Sequence, residues 1–347
     1  MINLIEDRIL TRQNGELKRN IGLFQGNMGV CLALYLLAKK TGNVFANSQA
    51  EKILNNVQEN LINLSNVHFD QGLAGIGWAI NLLHEQNAIR GDIDDILYNI
   101  DAAVYKEVTK HDANIGLSVT DGVNGYLIYL LSRMKNPKHD CNGVQHRLMK
   151  SATMKCVDII CTKAPSLFSN LIKDLYISSI WNFPWVFFLF KQTMDRGIYT
   201  EKINAVIQSW SHYLRCSLPY YYINRLSLCV SLIYLNTTLH SREVEEHVDF
   251  LLSNIDFIGL QREVNEKIFN MNEGWFWTSY ILTMALSHVP CTHPLYSELT
   301  NLKNEICKKN VRAFMSQLKS TNKWDNISFI NGLSGVAVVK ILHPDSF

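Results

Sequence analysis

The feature that most constrains this chain is a pair of glycines, three residues apart, that recurs at the start of apolar runs. Four such pairs occur, and they are followed by VCLALYLL, IGWAINLL, YLIYLLSR and VAVVKIL: Gly26–Gly29, Gly72–Gly75, Gly122–Gly125 and Gly332–Gly335. Each run is apolar on nearly every face, which is typical of a helix that is buried all round. Recurrence at intervals of about 50 residues indicates a repeat architecture.

The two glycines of a pair are expected to have different tasks. The first is predicted to adopt backbone angles that other residues avoid, which would turn the chain into the helix. The second lies in the first helical turn, where the absence of a side chain would let a neighbouring helix approach closely.

The same template finds three weaker copies in the second half of the chain. They begin at 181–182 before VFFLF, at 223–224 before LCVSLIYL and at 273–274 before TSYILTMAL. Between the apolar runs lie stretches with apolar residues on one face only, among them 49–64, 92–108, 241–255 and 301–318. The pattern therefore predicts a buried helix alternating with an outer helix that has one wet face.

Seven buried helices, each covered by an outer one, favour a closed double ring over an open solenoid, because an open arrangement would leave the inner row half exposed. The sequence thus predicts an all-α fold, an α/α toroid of about seven inner and seven outer helices in a single domain spanning 1–347. The N-termini of the inner helices would surround one mouth, and the loops leading into them would build any site.

The stretches GLAGIGWAI (72–80), DGVNGYLIYLL (121–131) and NGLSGVAVV (331–339) resemble the inner-helix starts of the lanthionine synthetase C family, the lanthipeptide cyclases. The resemblance implies the same toroid. It also implies an activity in which a peptide Cys thiol adds to a dehydroamino acid to form a thioether ring. In that family a zinc ion held by Cys, Cys and His activates the thiolate.

The positions that the resemblance assigns to this chemistry carry other residues here. Tyr222 stands for the first Cys ligand, Asn272 for the second Cys and Glu273 for the His. Trp181 stands where a His is expected, and Ser118 where an Asp is expected. A phenol, an amide and one carboxylate suit zinc poorly, so we expect neither zinc nor another cofactor.

Acidic and aromatic side chains remain as candidate site residues at the predicted mouth. Asp121 and Glu273 each directly precede the first glycine of a unit, so both are candidate acids or bases, and Asp70 has a similar position. The alternative is that each carboxylate only caps a helix N-terminus.

Aromatic residues either fill the space of the lost metal site or line an apolar groove for a peptide: Trp181, Tyr222, Trp275 and Trp277. With Asn272 and Asp70, they form the predicted binding set, and Tyr222 is the one most expected to line a groove.

One further local group, His288, Cys291 and His293, has ligand-like chemistry. It has no fourth ligand nearby and matches no established metal pattern, so an ordinary loop between helices is the preferred interpretation.

Composition narrows the choice of partners. Net charge is only +2 over 347 residues, with basic and acidic residues interspersed, which argues against nucleic acid. No continuous apolar run is long enough to span a membrane, no signal-like segment opens the sequence, and the cysteines lie mostly in apolar helical patterns, all of which favour the cytoplasm.

The leading hypothesis is a zinc-less, non-catalytic subunit that binds a precursor peptide, a partner modifying enzyme, or both. The alternatives are an active thioether cyclase or metal-free catalyst using acidic residues at the mouth, and a sugar-cleaving barrel that uses Asp121 with Glu273.

Overall fold

The computed structural model describes residues 1–13, 20–110, 115–134, 143–171, 182–216, 218–263, 275–289, 291–292, 296–319, 327–330 and 332–343. Within these ranges the chain forms fifteen α-helices and no β-strand, which confirms the all-α prediction. The helices are α1 (Ile2–Gln13), α2 (Asn27–Thr41), α3 (Val44–Leu61), α4 (Leu73–Glu85), α5 (Ile93–Thr109), α6 (Val123–Arg133), α7 (Val144–Leu171), α8 (Asn182–Met194), α9 (Thr200–Arg215), α10 (Tyr222–Leu239), α11 (Arg242–Ser253), α12 (Phe257–Glu263), α13 (Trp275–His288), α14 (Tyr296–Lys319) and α15 (Leu333–Leu342).

The helices form two layers, as predicted. The seven apolar runs become the inner helices α2, α4, α6, α8, α10, α13 and α15. An outer helix follows each inner helix from α2 to α13 and packs against it, and α1 packs against α2 and α15. The short α12 is an addition that the sequence pattern did not predict. Contacts run from α15 to α2 and onward through α4, α6, α8 and α10 to α13. The last inner helix therefore packs against the first, as a toroid requires.

The two helix types differ in burial for the reason that their sequences indicate. In α2 every residue from Asn27 to Ala38 is buried, and the helix ends at Gly42, whose φ of 75° is left-handed. The outer helix α5 instead starts at Asp92, whose carboxylate accepts a hydrogen bond from the Asp94 amide at 2.9 Å. It buries only one side, and the side chains of that face pack into the same core as the inner helices.

The loops that lead into the inner helices are joined to one another through their backbones. We call them the mouth loops, and within the described ranges they comprise 20–26, 66–72, 116–122, 218–221 and 327–330. The Ile330 amide donates to the Phe24 carbonyl at 3.2 Å, the Phe24 amide to the Asp70 carbonyl at 2.8 Å, and the Asp70 amide to the Thr120 carbonyl at 3.1 Å. The same position of four loops is thus linked in series, and this series includes the junction between the last unit and the first.

The second glycine of each pair lets the loops approach this closely. A Cβ on Gly75 would lie 1.8 Å from the Phe69 carbonyl oxygen, and one on Gly125 would lie 2.3 Å from that of Val119 and 2.6 Å from the Phe69 Cβ. The close neighbours are therefore the glycine's own mouth loop and the loop of the adjoining unit. The prediction that a neighbouring helix would approach here was wrong in that respect.

The prediction that the first glycine adopts backbone angles that other residues avoid was also wrong. Gly26, Gly72 and Gly122 have φ values of −109°, −120° and −118°, which is extended backbone open to any residue. They are glycine because the mouth loop folds back on them. A Cβ on Gly72 would lie 2.5 Å from the His68 amide nitrogen.

Candidate binding site at the mouth

Four aromatic rings meet where the mouth loops of the last and first two units join. Phe24 lies 6.0 Å from Phe69 and 6.3 Å from Phe329, measured between ring centroids. Trp78, on the second turn of α4, lies 5.9 Å from Phe69 and 6.4 Å from Phe329. Phe24 and Phe69 are buried, whereas Trp78 and Phe329 are half-buried. We call these four residues the aromatic cluster, and two of its rings offer apolar surface to a ligand.

Polar side chains gather at the neighbouring junction, between the second and third units. The Nδ1 atom of His68 lies 2.9 Å from the hydroxyl oxygen of Tyr126, and the two rings are stacked. Tyr126 is buried, while His68 is half-buried. A histidine held by a buried phenol beside carboxylates has the parts of an acid–base site.

The two described carboxylates at this junction have opposite environments. Burial raises the pKa of Asp70, and the nearby Asp121 adds to that shift. Hydrogen bonds from hydroxyl groups, that of Thr120 first, lower the pKa of Asp121. The Thr120 hydroxyl lies 2.9 Å from the Asp121 Oδ1. Two interacting carboxylates with pKa values shifted apart can divide the roles of proton donor and charged acceptor.

The start of α10 is built differently from the glycine-pair units. Both oxygens of Glu263, at the end of α12, accept hydrogen bonds from helix-start amides, that of Tyr222 at 3.0 Å and that of Ile223 at 3.1 Å. The Tyr222 ring packs on Gly259, where an added Cβ would lie 2.4 Å from it, and the Arg225 guanidinium lies 4.7 Å from its centroid. Tyr222 is half-buried, and these contacts favour its role as filling over a role as groove wall.

Glu263 is a carboxylate committed to this helix start. Burial raises its pKa, while the two amide hydrogen bonds and Arg225 oppose that shift. It satisfies donors that would otherwise be orphaned at the N-terminus of α10.

Comparison with known proteins finds a family and a solved structure that this chain resembles. Residues 18–160 match the family described as lanthionine synthetase C-like protein. The resemblance is confirmed. The solved structure of a protein titled "Nisin cyclase" superimposes with a TM-score of 0.66 over 100% of this chain and 94% of its own, at 14% identity, so the fold is shared throughout. A search among curated proteins finds no match.

The resemblance to the lanthionine synthetase C-like family implies a zinc ion, and the residues in the described ranges do not fit one. Tyr222, at the position of the first Cys ligand, is packed between Gly259 and Arg225. In the described part of the chain, no group of three or more His, Cys, Asp or Glu side chains is arranged to hold a metal.

Several predicted site residues fall outside the described ranges. Trp181, Asn272 and Glu273 are among them, so the pairing of Asp121 with Glu273 has no geometry here. Trp275 and Trp277 lie in the first turn of α13. Asp70 and Asp121 do come together at the mouth, since the charge of Asp121 contributes to the raised pKa of Asp70.

The described members of the group His288, Cys291 and His293, at the end of α13, do not form a set of metal ligands. The His288 ring lies 5.2 Å from that of Tyr234, centroid to centroid, and burial lowers its pKa. Cys291 is exposed, and His293 lies outside the described ranges.

The sequence analysis missed His68 and Tyr126. His68 is four residues before the first glycine of its unit, which is the position at which the third unit was expected to carry an Asp. Applying that template to the second unit would have found it. Tyr126 directly follows the second glycine of the next unit and gave no signal of its own, because its partner is distant in the chain.

Proposed function

We propose that this lanthionine synthetase C-like protein acts in a lanthipeptide-type pathway as a subunit that binds the precursor peptide at its mouth without zinc. It would work in the cytoplasm beside the enzyme that dehydrates the peptide. The observation that carries the proposal is the packing of Tyr222. At the position of a thiolate ligand, an aromatic ring is held by Gly259 and Arg225, while the fold around it is retained.

The aromatic cluster supplies the surface that such a subunit needs. The half-buried ring of Trp78 packs against Phe329 and against Phe69, the residue directly before Asp70. Aromatic side chains with polar neighbours are typical of peptide-binding surfaces. We therefore assign the peptide to the junction of the last unit with the first two.

Binding and ring formation can be measured separately on one substrate. The probe is a synthetic peptide with one Cys and one dehydroalanine. Calorimetry measures its affinity. Ring formation does not change the mass, so it is followed by alkylation, which adds mass only to a thiol that has not reacted. We expect binding with the thiol still open to alkylation, at the same level with and without added zinc.

A result in which the purified protein protects the thiol from alkylation would contradict the non-catalytic assignment. Peptide that fails to bind at all would contradict the binding assignment. A version of the peptide with Ala for dehydroalanine is the matched control, because it can bind but cannot form the ring.

One observation favours a second candidate function, which is thioether formation without a metal. In the tautomer in which His68 Nδ1–H donates to Tyr126, Nε2 carries a lone pair and could take the proton of a peptide thiol. The sulfur would then bond to the β-carbon of the dehydroamino acid, and the proton would pass to its α-carbon. The Asp121 carboxylate would stabilise the imidazolium formed between the two steps.

This candidate predicts a specific loss. His68→Gln would abolish protection of the thiol while peptide affinity stays within about twofold, and Asp121→Asn would reduce the rate. If wild-type protein shows no protection, the first candidate stands alone.

A further inference from the structure

A cavity lies in the outer layer, away from the mouth loops. It has a volume of about 320 Å³ and lies between α9 and α11, with the C-terminal half of α10 as its floor. None of its lining residues belongs to a mouth loop, so it is separate from the site proposed above.

Two buried polar atoms of this cavity have no partner. Among the described residues, neither the Nε2 atom of His247 nor the Oδ1 atom of Asn204 makes a hydrogen bond. His247 is only 3% exposed. An unsatisfied buried polar group costs stability, and native proteins keep few of them. Two in one cavity therefore point to a ligand that satisfies both.

The chemistry of the pair restricts that ligand. Burial lowers the pKa of His247 to about 4, so the ring is neutral near pH 7, with one nitrogen a donor and the other an acceptor. A carboxylate has no proton for the Asn204 oxygen, and an ammonium ion has no acceptor for a ring N–H. A carboxamide carries two N–H groups and one carbonyl, so it satisfies either ring tautomer and either orientation of the Asn204 amide.

The side chains that line the cavity indicate what surrounds the carboxamide of the ligand. Apolar side chains line part of the cavity: Ile207, Leu214, Leu232, Leu239 and Val244. The rest of its lining is polar or charged and includes Arg215, Arg242 and Glu243. Phe250 stacks on His247 with centroids 6.0 Å apart and is 42% exposed, so it continues the apolar surface outward. The volume suits one side chain rather than a folded domain.

We propose that this cavity binds the carboxamide side chain of an Asn or Gln residue in a peptide segment. His247 and Asn204 hold the amide, and Phe250 packs against the neighbouring residue of the segment. The proposal does not depend on the function assigned to the mouth.

The test is a nuclear magnetic resonance titration of protein labelled with ¹⁵N-histidine. The probes are three capped amino acids, N-acetyl-glutamine-N-methylamide and its glutamate and leucine counterparts. The His247 signal is assigned by its absence from the His247→Phe spectrum. We expect the glutamine probe to shift that signal in a saturable way and the other two to leave it unchanged.

Variants connect the shift to the cavity. Asn204→Leu, which keeps the size of the side chain, should weaken binding of the glutamine probe at least about tenfold. His212→Phe, on the exposed side of α9, and Trp78→Ala, at the mouth, should leave it unchanged.

Three outcomes would overturn the proposal. An equal shift with the leucine probe would mean that backbone amide or apolar contact suffices. Unchanged binding in Asn204→Leu would place the ligand elsewhere. If no probe shifts the His247 signal, the cavity holds water only. Should His247→Phe fail to fold, Asn204→Leu and the probe series still decide the matter.

Discussion

The two halves of the ring follow the repeat to different degrees. From the last unit through the first three, glycine pairs and serial backbone hydrogen bonds join the mouth loops. From the fourth to the sixth unit the glycine pairs are missing, a carboxylate from α12 satisfies the start of α10, and the outer layer holds a cavity with unpartnered polar atoms. We call the first group of units the regular half and units four to six the divergent half. The match to the lanthionine synthetase C-like family, residues 18–160, lies mainly in the regular half.

The difference shows what the glycine signature records. It marks places where two backbones are too close for a Cβ, which is a requirement of the toroid and not of thiol chemistry. The positions at which the resemblance predicts metal ligands lie in the other half, and they carry Tyr222, Asn272 and Glu273 instead. The glycine signature can therefore be present in a chain whose residues at the expected metal positions are different.

The largest expected effect tests the regular half. Gly125→Ala should lower the free energy of unfolding by about 3 kcal/mol or more, because its Cβ would meet the Val119 carbonyl oxygen at 2.3 Å and neither backbone can move without the other. Gly116→Ala is the matched control, since its Cβ would meet only one atom, at 4.0 Å. Urea unfolding measures both. Equal losses would remove the steric account of the repeat.

The next effect tests the divergent half through pH. The folded-state pKa of His247, about 4, lies below its unfolded value of 6.5, so the unfolded chain binds more protons between these values. Its contribution to stability is complete above pH 6.5 and is lost as the pH falls towards 4, by about 2–3 kcal/mol. His247→Phe should remove this part of the pH dependence, and His212→Phe should retain it. Identical pH profiles for wild type and His247→Phe would show that the group is not perturbed.

Peptide affinity gives the third effect and concerns the regular half again. Trp78→Ala should weaken binding of the dehydroalanine peptide about 30-fold, equivalent to about 2 kcal/mol, since it removes a central ring of the aromatic cluster. Trp210→Ala, in the outer helix α9, should cost stability but leave affinity unchanged. Calorimetry and thermal melts on both variants separate the two effects. The reverse pattern would move the peptide away from the mouth.

The smallest effect concerns how the divergent half compensates for its missing loop geometry. Glu263→Ala should cost about 1 kcal/mol, the usual value of a helix cap, because the Tyr222 and Ile223 amides lose their acceptor. Arg262→Ala, exposed on the same turn, should cost much less. Should the two variants unfold at the same urea concentration, Glu263 is not a cap.

Most of the fold could be predicted because its signals are local. An apolar run after a glycine pair gives an inner helix, and one-sided periodicity gives an outer one. What escaped depends on distant residues. The contact of Glu263 with the start of α10 and the pairing of His68 with Tyr126 each join parts of the chain far apart in sequence, and α12 is too short to show periodicity. The reason for Gly72 was mistaken because steric crowding and unusual backbone angles leave the same residue in the sequence.

The hydrogen bond from Ile330 to Phe24 also bears on how the molecule is made. It joins two loops that are far apart in sequence, so the first is synthesised long before the second. Closing so long a segment is entropically costly and slow. The aromatic cluster needs Phe329 from the late loop and Phe24 from the early one. A nascent or truncated chain that ends before Phe329 would already hold its first inner helices but would lack the surface for the peptide. In the proposed function, peptide binding therefore begins only after the last repeat has docked.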